Sequence, residues 1–243
     1  MNAPVGQQNT GSAPQRSPSF ASKADVDHLV LVADNLEQGH AWVQKRMGVA
    51  PVVGGQHAFM GTHNCLLSIA SPGFEHTYLE VIAIDPSAAK PPHARWFGMD
   101  NPALQAAAKI EPRWVHWVAS CSDIEPAHAA LRRQGFDLGE IQSAQRGSMR
   151  WQISIRADGQ LELGGRLPSL IQWQGARAGD SLPRSSVRLQ AINLALNPVG
   201  ALDKALSTLG LQDRVQLADL ANSFVRLQTP AGDFELEHWH ESY

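Results

Sequence analysis

Apolar positions along the chain switch between two periods, and the switch recurs three times. Residues 27–33 are an apolar run of strand length. Asp34 and Asn35 follow, side chains suited to capping a helix N-terminus, and then a stripe at Leu36, His40, Val43 and Met47 with the spacing of one helix face, closed by Gly48. Residues 114–120 open the same series: Asp123 as cap, Ile124, Ala127, His128 and Leu131 as stripe, Gly135 as stop. Residues 189–196 open it again, with Asn197 as cap, Pro198 at the first helical position, Val199, Leu202, Leu206 and Leu209 as stripe, and Gly210 as stop. After each glycine the pattern predicts strands: 52–59, 64–70 and 77–84; 140–145, 150–155 and 169–174; then 223–228 and 234–238, with a weaker segment at 215–217.

The unit is therefore βαβββ. The fold class is α+β, with two full modules and a third, shorter one forming curved, cupped mixed sheets with helices on the outer face. One unit leaves a sheet face bare, so two must pair around a cleft where function sits. Residues 1–24, rich in Ser, Pro, Gln and Gly, predict a disordered tail. Prolines at 86, 91 and 92 and a polar stretch at 175–186 divide the rest into modules 25–96, 97–180 and 181–243, the last pairing with one of the first two.

The 243 residues are 43% hydrophobic with a formal net charge of −3, a soluble composition whose length buries a core without disulfides. No dense Lys and Arg cluster is present, so nucleic acid is not an expected partner. No run approaches the ~20 apolar residues of a membrane span, and no secretory signal pattern opens the chain, so the expected address is cytoplasmic. Cys65 and Cys121 lie far apart in apolar sequence and read as core thiols. Gly54-Gly55 and Gly164-Gly165 lack phosphate-loop spacing, and no Gly-x-Ser-x-Gly elbow occurs.

The segments Asp27-His28-Leu29-Val30-Leu31-Val32, Gly54-Gly55-Gln56-His57, Gly61-Thr62-His63-Asn64-Cys65-Leu66-Leu67, Tyr78-Leu79-Glu80-Val81 and Leu167-Pro168-Ser169-Leu170-Ile171-Gln172-Trp173 resemble the vicinal oxygen chelate superfamily, and within it the glyoxalase-like domain family. The resemblance covers residues 25–173 and implies paired βαβββ modules. It spans lyases, isomerases, ring-cleaving dioxygenases and metal-free binding or resistance proteins, so the scaffold alone does not choose among them.

The resemblance places metal ligands on the first and fourth strands of a module, here His28 and Glu80, for a divalent ion such as Fe, Mn, Ni or Zn. A carboxylate on a buried strand costs several kcal/mol, on the order of the effective burial penalty, unless a metal, cation or donor meets it. The alternative is an internal Glu80–His28 hydrogen bond. The second module offers only His116, Gln172 and Gln174 at the matching places. The third offers Glu235, which falls opposite Glu80 if Phe234 matches Leu79, or else sits on a solvated strand edge. Glu80 and His63 are the expected proton-moving groups, and His57, Thr62 and Asn64, flanking the Gly61 turn, the polar lining of the cleft or a self-bonded hairpin. Trp117 and Trp173 are the expected aromatic floor for a small-molecule substrate or ligand, the alternative being that such tryptophans fill the core. His40 and His128, recurring on two helices, read as scaffold. The third unit either completes a sheet or serves assembly as a homodimer.

Overall fold

A computed structural model describes residues 23–196 and 200–241. Most of the expected tail, and the Asn197 cap with Pro198 and Val199, lie outside the described residues. Ala24, assigned to that tail, is buried and donates its N–H to Leu209 O at 2.9 Å.

The first module runs β1 (Asp25–Val32), α1 (Leu36–Met47), β2 (Val52–His57), β3 (Thr62–Ser68) and β4 (Tyr78–Ile84). Asn35 is the working cap, accepting from Gln38 N, and Gly48 stops α1 at φ 72°, a left-handed conformation that glycine adopts without strain. Helix α2 (Pro102–Ile110) precedes the second module, which runs β5 (Arg113–Ser120), α3 (Ile124–Arg132), β6 (Glu140–Arg146), β7 (Met149–Ile155) and β8 (Ser169–Trp173). The third unit is β9 (Arg188–Ala195), α4 (Ala201–Leu209), β10 (Val215–Ala218), β11 (Phe224–Thr229) and β12 (Gly232–Glu237). Among the described residues, no helix is long and apolar enough to cross a membrane.

Two modules share one eight-stranded sheet in the order β2-β3-β4-β1-β5-β8-β7-β6. Each opening strand pairs in parallel with the fourth strand of its own module, β1 with β4 and β5 with β8, and the modules join along the antiparallel β1–β5 pair. The sheet curls until its edge strands β2 and β6 come into contact. The third unit keeps the βαβββ sequence order but builds its own sheet, β10-β9-β11-β12. Its opening strand β9 pairs in parallel with β10, directly after the helix, and the chain beyond β12 runs beside the start of β5, where Trp239 N donates to Trp114 O at 2.7 Å.

The two sheet faces carry separate cores. Leu29, Leu31, Leu79, Val81, Trp114 and Trp117 face α1, α3 and the third unit, which covers that side with Ile192, Leu202 and Leu206. The other face carries Val30, Val32, Ile82, Val118 and Ile171, packed by Trp96, Phe97 and Met99 of the intermodule segment and by Leu104 of α2. Sequence alternation predicts Trp114 beside His116 and Val118. Instead a bulge at Val115 inserts one residue between the pairs Val30–His116 and Leu31–Trp114, which turns Trp114 to the helix side with Trp117. Cys65 and Cys121 are buried free thiols, both pushed up to about 12 by burial.

Candidate functional site

The cleft on the concave face is built from the centre of the first module. On β4, Tyr78, Glu80 and Ile82 share one face, and on β3 so do Asn64 and Leu66. On β1, a second bulge falls between Val26 and His28 in the pairing with β5. The extra residue is Asp27, and the bulge brings its carboxylate to the side of His28.

Asp27 Oδ1 lies 2.7 Å from His28 Nδ1, and Oδ2 accepts from Trp173 Nε1 at 2.7 Å. With Nδ1–H given to Asp27, His28 presents Nε2 to Glu80 Oε2 at 3.4 Å. The other Glu80 oxygen, Oε1, accepts from Asn64 Nδ2 at 2.5 Å. Asn64 is itself oriented by Gly55 N–H, which donates to its Oδ1 at 2.8 Å. His57 closes the chain, with Nε2 3.5 Å from Asn64 Nδ2 and Nδ1 3.2 Å from Thr62 Oγ1. Burial lowers the His57 pKa to about 4, against the opposing pull of Glu80, so its imidazole is neutral at pH 7. Tyr78 stacks on His28 at 4.8 Å, and burial, then Asp27 and Glu80, hold its phenol well above the usual range. Trp151, Trp173, Leu66 and Ile171 make the apolar wall.

The cleft is narrow. Its water-accessible volume is about 30 Å3, room for one or two waters. Trp96 and Phe97 lie across it and divide it from a second narrow cavity under His116. Phe97 takes φ 56°, an uncommon conformation for a bulky residue.

Of the residues singled out from sequence, His28, Glu80, His57, Asn64 and Trp173 line this cleft, and Thr62 stands behind His57. His63 is not brought there: strand alternation turns it away from Thr62 and Asn64, toward the side of Asp85. Trp117 belongs to the helix-side core and gives its Nε1–H to Arg166 O at 2.9 Å. Glu235 sits on the separate sheet in an exposed ion pair with Arg226 at 2.8 Å, because the third unit does not extend the eight-stranded sheet. Glu235→Ala is accordingly expected to change stability by less than about 0.5 kcal/mol in denaturant titrations. His116 is satisfied on both nitrogens, by Gly165 O and by Ser169 N–H, and Gln172 caps α3 through Ile124 N–H. His128 bonds Gly139 O, as a scaffold residue would. Sequence reading missed Asp27, Tyr78 and Arg146. Asp27 was readable only as the acidic neighbour of His28, and Arg146 carries no local signal.

The donor set falls short of a resident metal centre. His28 Nε2 and Glu80 Oε2 converge, and a carboxylate behind the imidazole is the arrangement that orients metal-bound histidines. Yet among the described residues no three His, Cys, Asp or Glu side chains gather to hold an ion, whereas zinc-type centres take three or four protein ligands.

A cupped sheet of two βαβββ modules, polar at the centre of its concave face, is the architecture of the vicinal oxygen chelate superfamily. The family model described as glyoxalase-like domain matches residues 26–210, and the chain belongs to that family. Among solved structures, a hypothetical protein from Staphylococcus aureus superposes with a TM-score of 0.56 at 16% identity, covering 89% of this chain and 86% of that one. Methylmalonyl-CoA epimerase from Mycobacterium tuberculosis gives a TM-score of 0.40 at 17% identity, covering 65% and 92%. At such identities the likeness concerns the fold. A search of the curated proteins returns no significant match.

Proposed function

We propose that the chain is an enzyme that moves a proton on a small oxygenated compound of the α-keto or glyoxal-adduct type, bound in the first-module cleft. The observation that carries this reading is Glu80: a carboxylate only 6% exposed, with one oxygen held by Asn64 and the other facing an imidazole that Asp27 orients. Such a group is desolvated, fixed in direction and coupled to a second proton-carrying group, which suits general acid–base work. Glu80 takes the proton from a carbon acidified by a neighbouring carbonyl. His28, 3.4 Å away, receives or returns it, and Asp27 holds the ring in position. A compound of this size exceeds the roughly 30 Å3 of free volume, so it enters as the Trp96–Phe97 segment moves aside, and with the tryptophan wall that segment then keeps water from the reacting atoms.

A metal-dependent form of the same chemistry, with Fe, Mn, Ni or Zn on His28 and Glu80, would need the substrate and water to supply the remaining ligands. The test is solvent-deuterium exchange at the α-carbon of small keto acids, hydroxyketones and hemithioacetals, followed by NMR. Exchange faster than buffer in the wild type and reduced about 100-fold or more in Glu80→Gln supports the proposal. Binding without exchange would replace it with the metal-free binding or resistance reading.

A further inference from the structure

Arg146 is the feature of the cleft that the acid–base reading leaves unused. It ends β6 just before the Gly147 turn of the β6–β7 hairpin, so it belongs to the second module, yet its side chain crosses the seam where β6 meets β2 and lines the first-module cleft beside Asn64, His57 and Glu80. The sequence makes room for it. A Cβ added at Gly55 would lie 2.3 Å from Arg146 Cδ and 3.1 Å from Nε, and one added at Gly54 would lie 2.0 Å from Asn64 Oδ1. The Gly54-Gly55 pair, which has no phosphate-loop spacing, is thus the gap through which the guanidinium and the asparagine reach the cleft.

The guanidinium is largely uncommitted. Among the described residues its hydrogen-bond acceptor is Asn64 Oδ1 at 3.4 Å, a long contact, and no carboxylate stands within ion-pair distance. Glu80 does not claim it, because its two oxygens are turned to Asn64 and to His28. An arginine carries five donors in a planar fork that matches a carboxylate. Here most of that fork is left at the mouth of the cleft, beside the carboxylate proposed to move the proton.

We infer that Arg146 anchors a carboxylate of the substrate at the seam of the two modules, so that the site takes small 2-oxo or 2-hydroxy acids and related oxygenated carboxylates in preference to uncharged ketones. This rests on the acid–base reading for the reaction, but not for the binding. The anchor fixes which end of the molecule faces Glu80, since a carboxylate held at Arg146 directs its neighbouring carbonyl and α-carbon inward.

The test is calorimetric titration of the full chain with pyruvate and malonate, against hydroxyacetone and malonamide as uncharged counterparts. The wild type is expected to bind at least one of the two acids saturably. Arg146→Met should weaken that binding about tenfold or more, and Arg146→Lys should recover part of it, keeping the charge but losing the fork. Gly55→Ala, which displaces the side chain without removing its charge, should weaken it as well. Glu80→Gln should retain acid binding. Absence of α-proton exchange in the wild type, with Arg146-dependent binding intact, would defeat the acid–base reading and leave the anchor standing. No saturable binding of either acid to the wild type at tens of millimolar, or equal affinity in Arg146→Met, would overturn the anchor even if exchange is observed.

Discussion

Lowering the pH from 7 to 5 is expected to remove on the order of 5 kcal/mol of folding stability, a third or more of what a domain has in hand, through three histidines buried as neutral rings. Burial is the leading cause in each: it lowers His57 and His238 to about 4 and His116 to about 3, from an unperturbed value near 6.5. His116 and His238 are locked to the backbone, through Gly165 O and Val115 O, and cannot turn to water without opening the contacts of β5 with the Gly165 segment and with the chain beyond β12. The folded values lie below the unfolded ones, so their contribution is present in full above pH 6.5 and lost as the pH falls toward 4. Between those limits the unfolded chain binds up to three more protons than the folded one. Each costs about 1.4 kcal/mol per pH unit. Asp158, held near 2 by Arg156, titrates below this window and adds little to the loss within it. Urea titrations at pH 7, 6 and 5 should show the midpoint falling steeply, and His116→Gln should flatten the slope by about one proton. A midpoint unchanged between pH 7 and 5 would contradict the buried neutral rings.

Replacing Asp27 by alanine is expected to cost about 3–5 kcal/mol, although Asp27 is one small side chain near the start of a strand. Its two oxygens answer two buried N–H groups, His28 Nδ1 and Trp173 Nε1, both at 2.7 Å. Without it, each donor is left unpaired in an apolar cleft at about 1–3 kcal/mol apiece, and His28 is no longer held toward Glu80. Asp27→Asn keeps one acceptor and should cost about half as much. Because its amide also offers donors that can select the wrong imidazole tautomer, α-proton exchange should fall further than stability. Denaturant titration of the two variants, beside the exchange assay, reads both effects. A loss below about 1 kcal/mol in Asp27→Ala would mean that the two donors find water when the carboxylate is gone.

The modules were legible because their signals are local. The change of period from helix to strand, Asn35 as cap and Gly48 and Gly210 as stops are each written within a few residues of where they act. Helix α2 leaves no clear signal, because Asn101 and Pro102, its cap and first residue, follow a proline-marked break that reads as linker. Side-chain direction failed at the two bulges. Counting by twos puts Asp27 and Trp114 on the wrong faces, since one inserted residue reverses the count and nothing local in the sequence marks the insertion. His28, Glu80, Asn64 and Trp173, singled out from motif position, turn chemistry and aromatic size, line one cleft. His63 was misplaced with Thr62 and Asn64 despite lying between them on a strand. Glu235 rested on the third unit repeating the pairing of the first, and strand partners form at distances that local pattern does not encode. Arg146 was out of reach for the same reason, being brought to Asn64 by the curl of the whole sheet.

Proton transfer by Glu80 and His28 in the proposed reaction needs no resident metal. The most direct measurement is α-proton exchange on a responsive substrate by protein stripped with a chelator and checked for residual metal, then reloaded in turn with Fe, Mn, Ni and Zn. The rate is expected to be the same before and after stripping, with loss only in Glu80→Gln. A rate that vanishes on stripping and returns with one divalent ion would contradict it.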